Sequence, residues 1–454
     1  MERKPRHPPS TSLCATARTV FPSPRYSLTL GSASTPSLEP DPEGAPVTDS
    51  KVTDKPAPKR QPVPRGLAHD GPVILAYGFR PFFLAAGIWA MLAMALWIGA
   101  LAGDWPIGGA YGGPAWHAHE MLFGYSTAAM AGFLLTAIPN WTGRLPVSGA
   151  PLGVLFLVWL AGRLALLAPD LIGLPLAIAL DIAFLPFLLA ICAREVIAGR
   201  KWRDLKVLAV VAALALANAG FHAIVVFGAD PGLASRLAVS AYVMLIGIIG
   251  GRVVPSFTRN WLAKRHVQSL PAAYDRFDTI ALLGGLAALV LWVIAPDHAL
   301  TGLACALAGL LHACRLIRWR GWQTGAERLV LVLHLAYLFV PLGFFAIALL
   351  PLGLLDPASA LHVFTVGAIG LMTLAIMSRA TRGHTGLPLT APPMTAASYA
   401  LIFMAALLRP LATLLPDLYL ALLSASGACW IAAFALYLVE YAPPILTRRK
   451  PRAE

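Results

Sequence analysis

Apolar residues fill long continuous blocks of this chain, and polar residues gather in the short connections between the blocks. Each block runs for about 18–25 residues, which is enough for a helix to cross a lipid bilayer. The pattern predicts an all-α, polytopic membrane protein with about twelve transmembrane helices. These helices are expected to begin near Arg80, Pro114, Pro151, Leu171, Lys206, Leu233, Phe277, Ala299, Leu329, Ser359, Ala396 and Leu418.

The charges in the connections predict which way the helices cross the membrane. Arginines and lysines concentrate in every second connection, for example Arg144, Arg265 and Arg320, whereas the other connections carry aspartates such as Asp104 and Asp230. Because basic loops remain on the cytoplasmic side of a membrane, both termini are expected in the cytoplasm. An even number of spans agrees with this, because it requires both termini to lie on the same side of the membrane.

The composition supports a membrane protein. Hydrophobic residues make up 58% of the chain and charged residues only 13%, with a mean hydropathy of +0.70, whereas soluble domains contain about 25% charged residues. Basic cytoplasmic loops explain the net charge of +13, so membrane lipid is the expected partner and nucleic acid is not. The five cysteines include no CxxC pair, which argues against a disulfide framework and against a zinc motif.

The first 70 residues form a separate segment, 1–70, ahead of a transmembrane domain at 71–454. The segment is rich in Pro, Ser, Lys and Arg and shows no apolar period. A segment with so few apolar side chains cannot bury enough surface to become ordered. It is expected to be a disordered cytoplasmic tail, or an over-extended start of the reading frame.

Two parts of the chain resemble each other. Both begin with a histidine, and each places a glycine and then a Thr-Gly pair at matching positions, which suggests repeated four-helix units. Repeats in membrane proteins often flank a central binding site. The matching residues are His119, Gly124, Thr142 and Gly143 in the first part and His362, Gly367, Thr385 and Gly386 in the second.

Two charged residues interrupt the apolar blocks. Arg163 falls in the third predicted span and Asp181 in the fourth. A charge inside a span is costly and is a candidate for function. Because neighbouring antiparallel helices can pair these two side chains, we interpret them first as a structural ion pair and second as a functional one.

Most of the 11 histidines lie in or beside the predicted spans. The predicted orientation places His117, His119, His222 and His362 in the outer half of the membrane, and His312, His334 and His384 in the inner half. A lone histidine at a membrane interface usually serves as an anchor, but histidines that gather in two groups indicate metal or haem ligands. Neutral imidazole binds copper, iron and zinc, and it is an axial ligand of haem iron.

The sequence His-Ala-His-Glu opens the second span. Residues two apart on a helix point about 200° apart, so His117 and His119 face different partners unless the helix start after Pro114 is irregular. By the same geometry His117 shares a face with Glu120. The Glu120 carboxylate is expected to orient an imidazole through its second nitrogen, or to relay protons.

Cytoplasmic loops add two arginines to this set. Arg252 and Arg379 lie where they can hold haem propionates or anionic lipid head groups. The alternative is that they belong only to the general excess of positive charge on the inner side.

Four long stretches resemble the signatures of the NnrS family, over a region from about Tyr77 to the end of the chain. They are GFRPFFLAAGIWA, WHAHEMLFGYSTAAMAGFLLTAIPNWTG, GGRVVPSFTRN and HVFTVGAIGLMTLAIMSRATRGHTGLPL. The resemblance implies a multi-pass protein of the bacterial inner membrane that binds haem and copper. It also implies a link to denitrification and to nitric oxide stress, with nitric oxide as a small-molecule ligand.

The residues and the resemblance together define the expected sites. The expected metal ligands or their orienting groups are His117, His119, Glu120, His222, His362 and His384. The expected cofactor-binding residues are Arg252, Arg379, His222, His312 and His334.

Two other functions remain open. The chain can be a haem–copper redox enzyme similar to nitric oxide reductases, although its histidines divide between two sides of the membrane. It can also be a transporter coupled to metal ions or protons, with the histidines as transport ligands. A visible spectrum distinguishes a haem protein from a colourless transporter.

Overall fold

The computed structural model describes residues 71–448, and this part of the chain is built from helices. Twelve of them are long and apolar enough to cross a membrane, which confirms the predicted all-α, twelve-span architecture. The predicted tail, 1–70, lies outside the described residues. The spans are α1 (Phe79–Gly103), α2 (Gly113–Thr142), α3 (Ala150–Leu167), α4 (Leu174–Ala198), α5 (Trp202–Val226), α6 (Gly232–Ala263), α7 (Arg276–Ile294), α8 (Ala299–Arg318), α9 (Arg328–Leu352), α10 (Pro357–Thr385), α11 (Pro393–Leu414) and α12 (Pro416–Leu446).

Proline and capping residues determine several helix starts. The helices α10 and α11 begin with Pro357 and Pro393, slightly earlier than predicted. Proline is tolerated in the first turn because its missing N–H has no partner within the helix there. The Asp356 carboxylate also accepts a hydrogen bond from the main-chain N–H of Ser359 at 2.8 Å, which caps α10.

Four helices form the centre of the bundle. In the most apolar stretch of α2, 89% of the residues are buried, and the share is 72% in α6, α9 and α10, against 39% or less in the other eight. A helix that is apolar on all sides can be surrounded by protein as well as by lipid, so hydropathy alone does not identify the central helices.

Three of these central helices contain a π-helical segment. The segments are Glu120–Tyr125 in α2, Ile246–Gly250 in α6 and Val363–Gly370 in α10. One extra residue in a helical turn rotates the following side chains by about 100°, and such segments are frequent at functional sites. The segments occur in every fourth span, the spacing of the predicted repeat, which itself stays a prediction.

The two ends of the described chain meet. The Arg80 guanidinium at the start of α1 donates hydrogen bonds to the carbonyl oxygens of Ile445, in the last turn of α12, and of Thr447, directly after it. Both ends therefore lie at one end of the bundle, as an even number of spans requires. We call this the inner end, following the predicted orientation, and the opposite end the outer end.

Candidate metal centre and adjoining histidine cavity

Three side chains from three helices meet near the outer end of the bundle. His119 of α2 and His222 of α5 both point at Asp181 of α4, and all three are buried. The distances to Asp181 Oδ2 are 3.2 Å from His119 Nε2 and 2.8 Å from His222 Nε2. Within residues 71–448 this is the one group of three ligand-type side chains whose donor atoms all lie within 4.8 Å of one another.

Further polar groups surround these three residues, and we call the whole set the outer cluster. Glu120 Oε1 lies 3.1 Å from His119 Nδ1, and the Tyr111 hydroxyl lies 3.3 Å from His222 Nδ1. Asn218 Nδ2 donates to Asp181 Oδ2 at 2.9 Å. Carboxylate and hydroxyl groups on the far nitrogens of two imidazoles are the usual means of orienting histidine ligands.

Tyr111 lies in the connection between α1 and α2, outside the spans. Burial and the nearby Glu120 carboxylate raise the pKa of the Tyr111 hydroxyl. The hydroxyl therefore stays protonated at neutral pH, and it can donate to His222 or accept from it.

Arg163 of α3 joins the two carboxylates of the outer cluster. Its Nη1 atom lies 2.8 Å from both oxygens of Glu120, and its Nη2 atom forms an ion pair with Asp181. The predicted pairing of Arg163 with Asp181 is thus present, and Glu120 is a second partner. Trp89 Nε1 also donates to Glu120 Oε2 at 2.7 Å.

Two glycines give Arg163 and Asp181 the space that they occupy. A Cβ atom on Gly124 would lie 2.7 Å from Arg163 Nη1, and one on Gly162 would lie 2.9 Å from the Cα atom of Asp181. Real Cβ atoms essentially never approach other atoms this closely. The backbones of α2, α3 and α4 therefore come close together because these positions have no side chain.

The protons and charges of the outer cluster do not balance without a cation. Both ring nitrogens of His119 face acceptor oxygens, since Nε2 lies 2.9 Å from Asn218 Oδ1 as well as close to Asp181. A neutral imidazole has one N–H and can satisfy only one side. Two carboxylates and one guanidinium leave a buried negative charge, which a metal cation or an additional proton would neutralise.

The HxH motif divides between two sites. His119 enters the outer cluster, whereas His117 stacks on Trp97 with ring centroids 4.5 Å apart. Glu120 contacts its sequence neighbour His119 and not His117, although a regular helix places His117 and Glu120 on one face.

His117 instead lines a cavity together with His362 of α10, and we call it the histidine cavity. The His362 imidazole donates through Nδ1 to the carbonyl oxygen of Ala358 at 2.6 Å, which leaves Nε2 free to face another partner. His117 Nδ1 is buried and has no hydrogen-bond partner among the described residues. Met94 and Trp430 also line the cavity.

Arg409 of α11 lies beside the same two histidines. Its Nη1 atom is buried and lacks a hydrogen-bond partner within residues 71–448. Two imidazoles and a guanidinium with unused hydrogen-bonding capacity, set among apolar walls, fit a ligand that has a metal and an anionic group.

The inner histidines lie in three different environments. His312 Nδ1 is 2.8 Å from the Tyr337 hydroxyl, in a cluster that includes the buried ion pair of Arg315 and Asp278. His334 Nε2 lies 2.8 Å from the Thr258 hydroxyl. The His384 ring stacks on Phe79. No contact joins the three histidines in the described part of the chain, so the structure does not bring them together as one site.

The two arginines expected to hold propionates have protein partners. Arg252 forms a salt bridge with Asp204 at 2.9 Å, and the Arg379 guanidinium lies 3.9 Å from the centroid of the Phe257 ring. Arg409 at the outer end has, by contrast, a buried Nη1 atom without a hydrogen-bond partner in the described residues.

Sequence reasoning also missed parts of the outer cluster. Asp181 was assigned only to an ion pair, and Tyr111 and Trp89 carried no signal, since an aromatic residue near a span end usually marks the membrane interface. The four-residue spacing of Asn218 and His222 was the available signal, because it places both side chains on one face of α5.

These features define a multi-pass helical membrane protein with a buried histidine–carboxylate centre. The family profile described as "NnrS protein" matches residues 73–450, and the chain therefore belongs to the NnrS family. A comparison with curated proteins finds no match.

Proposed function

We propose that this chain is a haem- and copper-binding protein of the bacterial inner membrane that protects against nitric oxide or responds to it. Membership of the NnrS family supports the proposal. The observation that carries it is the convergence of His119, Asp181 and His222, three buried ligand-type side chains with donor atoms within 4.8 Å of one another.

The outer cluster is the proposed copper site. His119 Nε2, His222 Nε2 and Asp181 Oδ2 would hold the metal, and Asn218 Oδ1 is close enough to assist. Copper binds nitrogen and oxygen donors more tightly than the other first-row divalent metals. A copper ion would also replace the proton that His119 lacks and neutralise the excess negative charge.

The histidine cavity is the proposed haem site. His117 and His362 would supply the imidazoles, and Arg409 would hold an anionic propionate. When bound, haem iron and copper supply the affinity for nitric oxide, which coordinates to reduced metals of both kinds.

The side chains of the protein itself have three tasks in this proposal. Glu120 and Tyr111 hold the Nδ1 atoms of His119 and His222, which fixes the direction of the Nε2 atoms. The carbonyl oxygen of Ala358 orients His362 by accepting a hydrogen bond from its Nδ1 atom, and the Trp97 ring packs against the His117 ring. The surrounding apolar residues exclude water, so a neutral ligand meets little competition.

The test is the metal and haem content of purified variants. We expect His119→Ala and His222→Ala to bind copper more weakly and to purify with less of it, and His117→Ala and His362→Ala to lose the haem absorption bands. His384→Ala, which removes a stacking histidine at the inner end, is the matched control and should retain both. Elemental analysis and a visible spectrum of folded, monodisperse protein supply the readout. Full copper and haem in all four outer variants would refute the proposal.

A further inference from the structure

A second cavity lies between α2, α6 and α10, the three helices with π-helical segments. It is partly open to the outside of the bundle. Residues such as Ala129, Leu245, Ile249 and Met372 line it, and none of its lining residues is charged. We call it the apolar cavity. Spaces lined by apolar side chains stay dry and bind small apolar molecules.

The few hydroxyl groups in the wall are already engaged. Ser126 and Tyr242 each donate a hydrogen bond to a main-chain carbonyl oxygen at 2.7 Å, and Thr373 does so at 2.8 Å. A ligand with carbonyl or hydroxyl groups, such as a quinone, would give up its hydrogen bonds with water and find no free donor in return. The wall therefore favours a neutral molecule that needs no hydrogen bonds.

The apolar cavity adjoins the histidine cavity. Ser126 and Ile369 line both of them. Tyr125 lines the histidine cavity, and its hydroxyl forms a hydrogen bond with the Thr373 hydroxyl, which belongs to the wall of the apolar cavity. One pair of hydroxyl groups thus lies at the boundary between the two spaces.

We infer that the apolar cavity binds a neutral diatomic gas and passes it to the histidine cavity. Phe133, Ile246 and Ile376 form part of its wall and are only half-buried. A gas such as nitric oxide concentrates in apolar surroundings and needs neither charge nor hydrogen bonds from its site. The identity of the gas rests on the proposed function, whereas the existence of the binding site does not.

The first experiment tests binding without any metal. Xenon is an inert probe of apolar cavities, and its magnetic resonance signal in metal-free protein in lipid nanodiscs reports occupancy. We expect a bound-xenon signal in the wild type and its loss in Ile249→Trp, which fills the apolar cavity. Ile280→Trp is the matched control, since Ile280 on α7 is 57% exposed and faces away from the protein core. Ala129→Leu is a milder second variant in case Ile249→Trp does not fold.

The second experiment tests passage. In metal-loaded protein, the association rate of nitric oxide after flash photolysis should fall in the folded cavity-filling variants and stay unchanged in Ile280→Trp. Xenon binding that persists in the filled variants overturns the assignment of the binding site to the apolar cavity. An unchanged nitric oxide rate despite lost xenon binding overturns the inference that gas passes from this cavity to the histidine cavity. Xenon binding that appears only after lipid removal identifies an acyl chain as the occupant, which also overturns the inference. Absence of haem and copper from the wild type refutes the proposed function, and the xenon result remains readable.

Discussion

At Arg163, one guanidinium holds two buried carboxylates of the outer cluster, and this residue offers a direct test of the electrostatics. Arg163→Met would leave Glu120 and Asp181 as unpaired buried charges. Loss of one partner from a buried pair costs about 3–5 kcal/mol, so the unfolding temperature in detergent should fall sharply.

Arg144 provides the control for Arg163. Its side chain is 44% exposed, and its buried partner Glu195 keeps a second cation, Arg194, at 2.8 Å when Arg144 is removed. Exposed guanidinium groups contribute about 0–1 kcal/mol through such pairs, so Arg144→Met should lower the unfolding temperature less than Arg163→Met. Equal losses in the two variants would contradict the interpretation of Arg163 as the central charge of the cluster.

Asp275 gives the protein a predictable acid sensitivity outside the spans. The Arg318 guanidinium beside it, followed by main-chain N–H groups at the start of α7, lowers the pKa of Asp275 from 3.8 to about 2. A lowered folded-state pKa stabilises the protein above the unfolded value, and this contribution is lost as the pH falls from about 4 to about 2. The stability difference between wild type and Asp275→Asn should therefore shrink across this range. A difference that does not vary between pH 6 and pH 2 would exclude this role.

At the residue scale, the sequence predicted contacts correctly where opposite charges on neighbouring helices pair, as Arg163 and Asp181 do. It failed where a contact depends on more than the helical period. A period of 100° per residue places Glu120 on the face of His117, whereas its carboxylate contacts the adjacent His119. The position of Arg409 beside His117 and His362 depends on lateral packing of α11, which one sequence does not reveal.

At the scale of single helices, Gly124 in α2 allows α3 to approach closely enough for Arg163 to reach Glu120. A Cβ atom at Gly124 would lie 2.7 Å from atoms of Arg163, Glu120 and Trp89. We expect Gly124→Ala to displace the guanidinium, lower the unfolding temperature and reduce the copper content.

Gly220 on α5 is the control for this change, because a Cβ atom there would meet no atom within 4 Å. Replacing an unconstrained helical glycine with alanine is favourable by about 0.5–1 kcal/mol. Gly220→Ala should therefore keep its copper and unfold at the same or a higher temperature. If Gly124→Ala behaves like Gly220→Ala, close approach at Gly124 does not support the site.

The existence of the helices could be predicted from the sequence because length and apolar composition are local properties. Their starts were predicted to within a few residues for the same reason. The three π-helical segments were not predicted, since one extra residue barely alters the hydropathy or the length of a span.

For the whole molecule, the alternation of basic and acidic connections predicts that both termini are cytoplasmic. Reporter fusions after Gly103, Asp230 and Asp356 should read as periplasmic, and one after Arg320 should read as cytoplasmic. A cytoplasmic reading at two of the first three positions would reverse the orientation and place the outer cluster near the cytoplasm.

The number of spans followed from the sequence, but the order in which they pack did not. Hydropathy does not distinguish α9, a central helix, from the more exposed α4, because both are apolar throughout. The division of the outer histidines into the outer cluster and the histidine cavity therefore became visible only when α2, α4, α5 and α10 were placed side by side.

The central claim is that His119, His222 and Asp181 hold one copper ion. Pulsed electron paramagnetic resonance of the copper(II) protein measures it most directly, because the remote nitrogen of each bound imidazole gives its own modulation. The account predicts two imidazoles in the wild type and in the control His334→Ala, and one in His222→Ala. A spectrum that is the same in the wild type, His119→Ala and His222→Ala would contradict it.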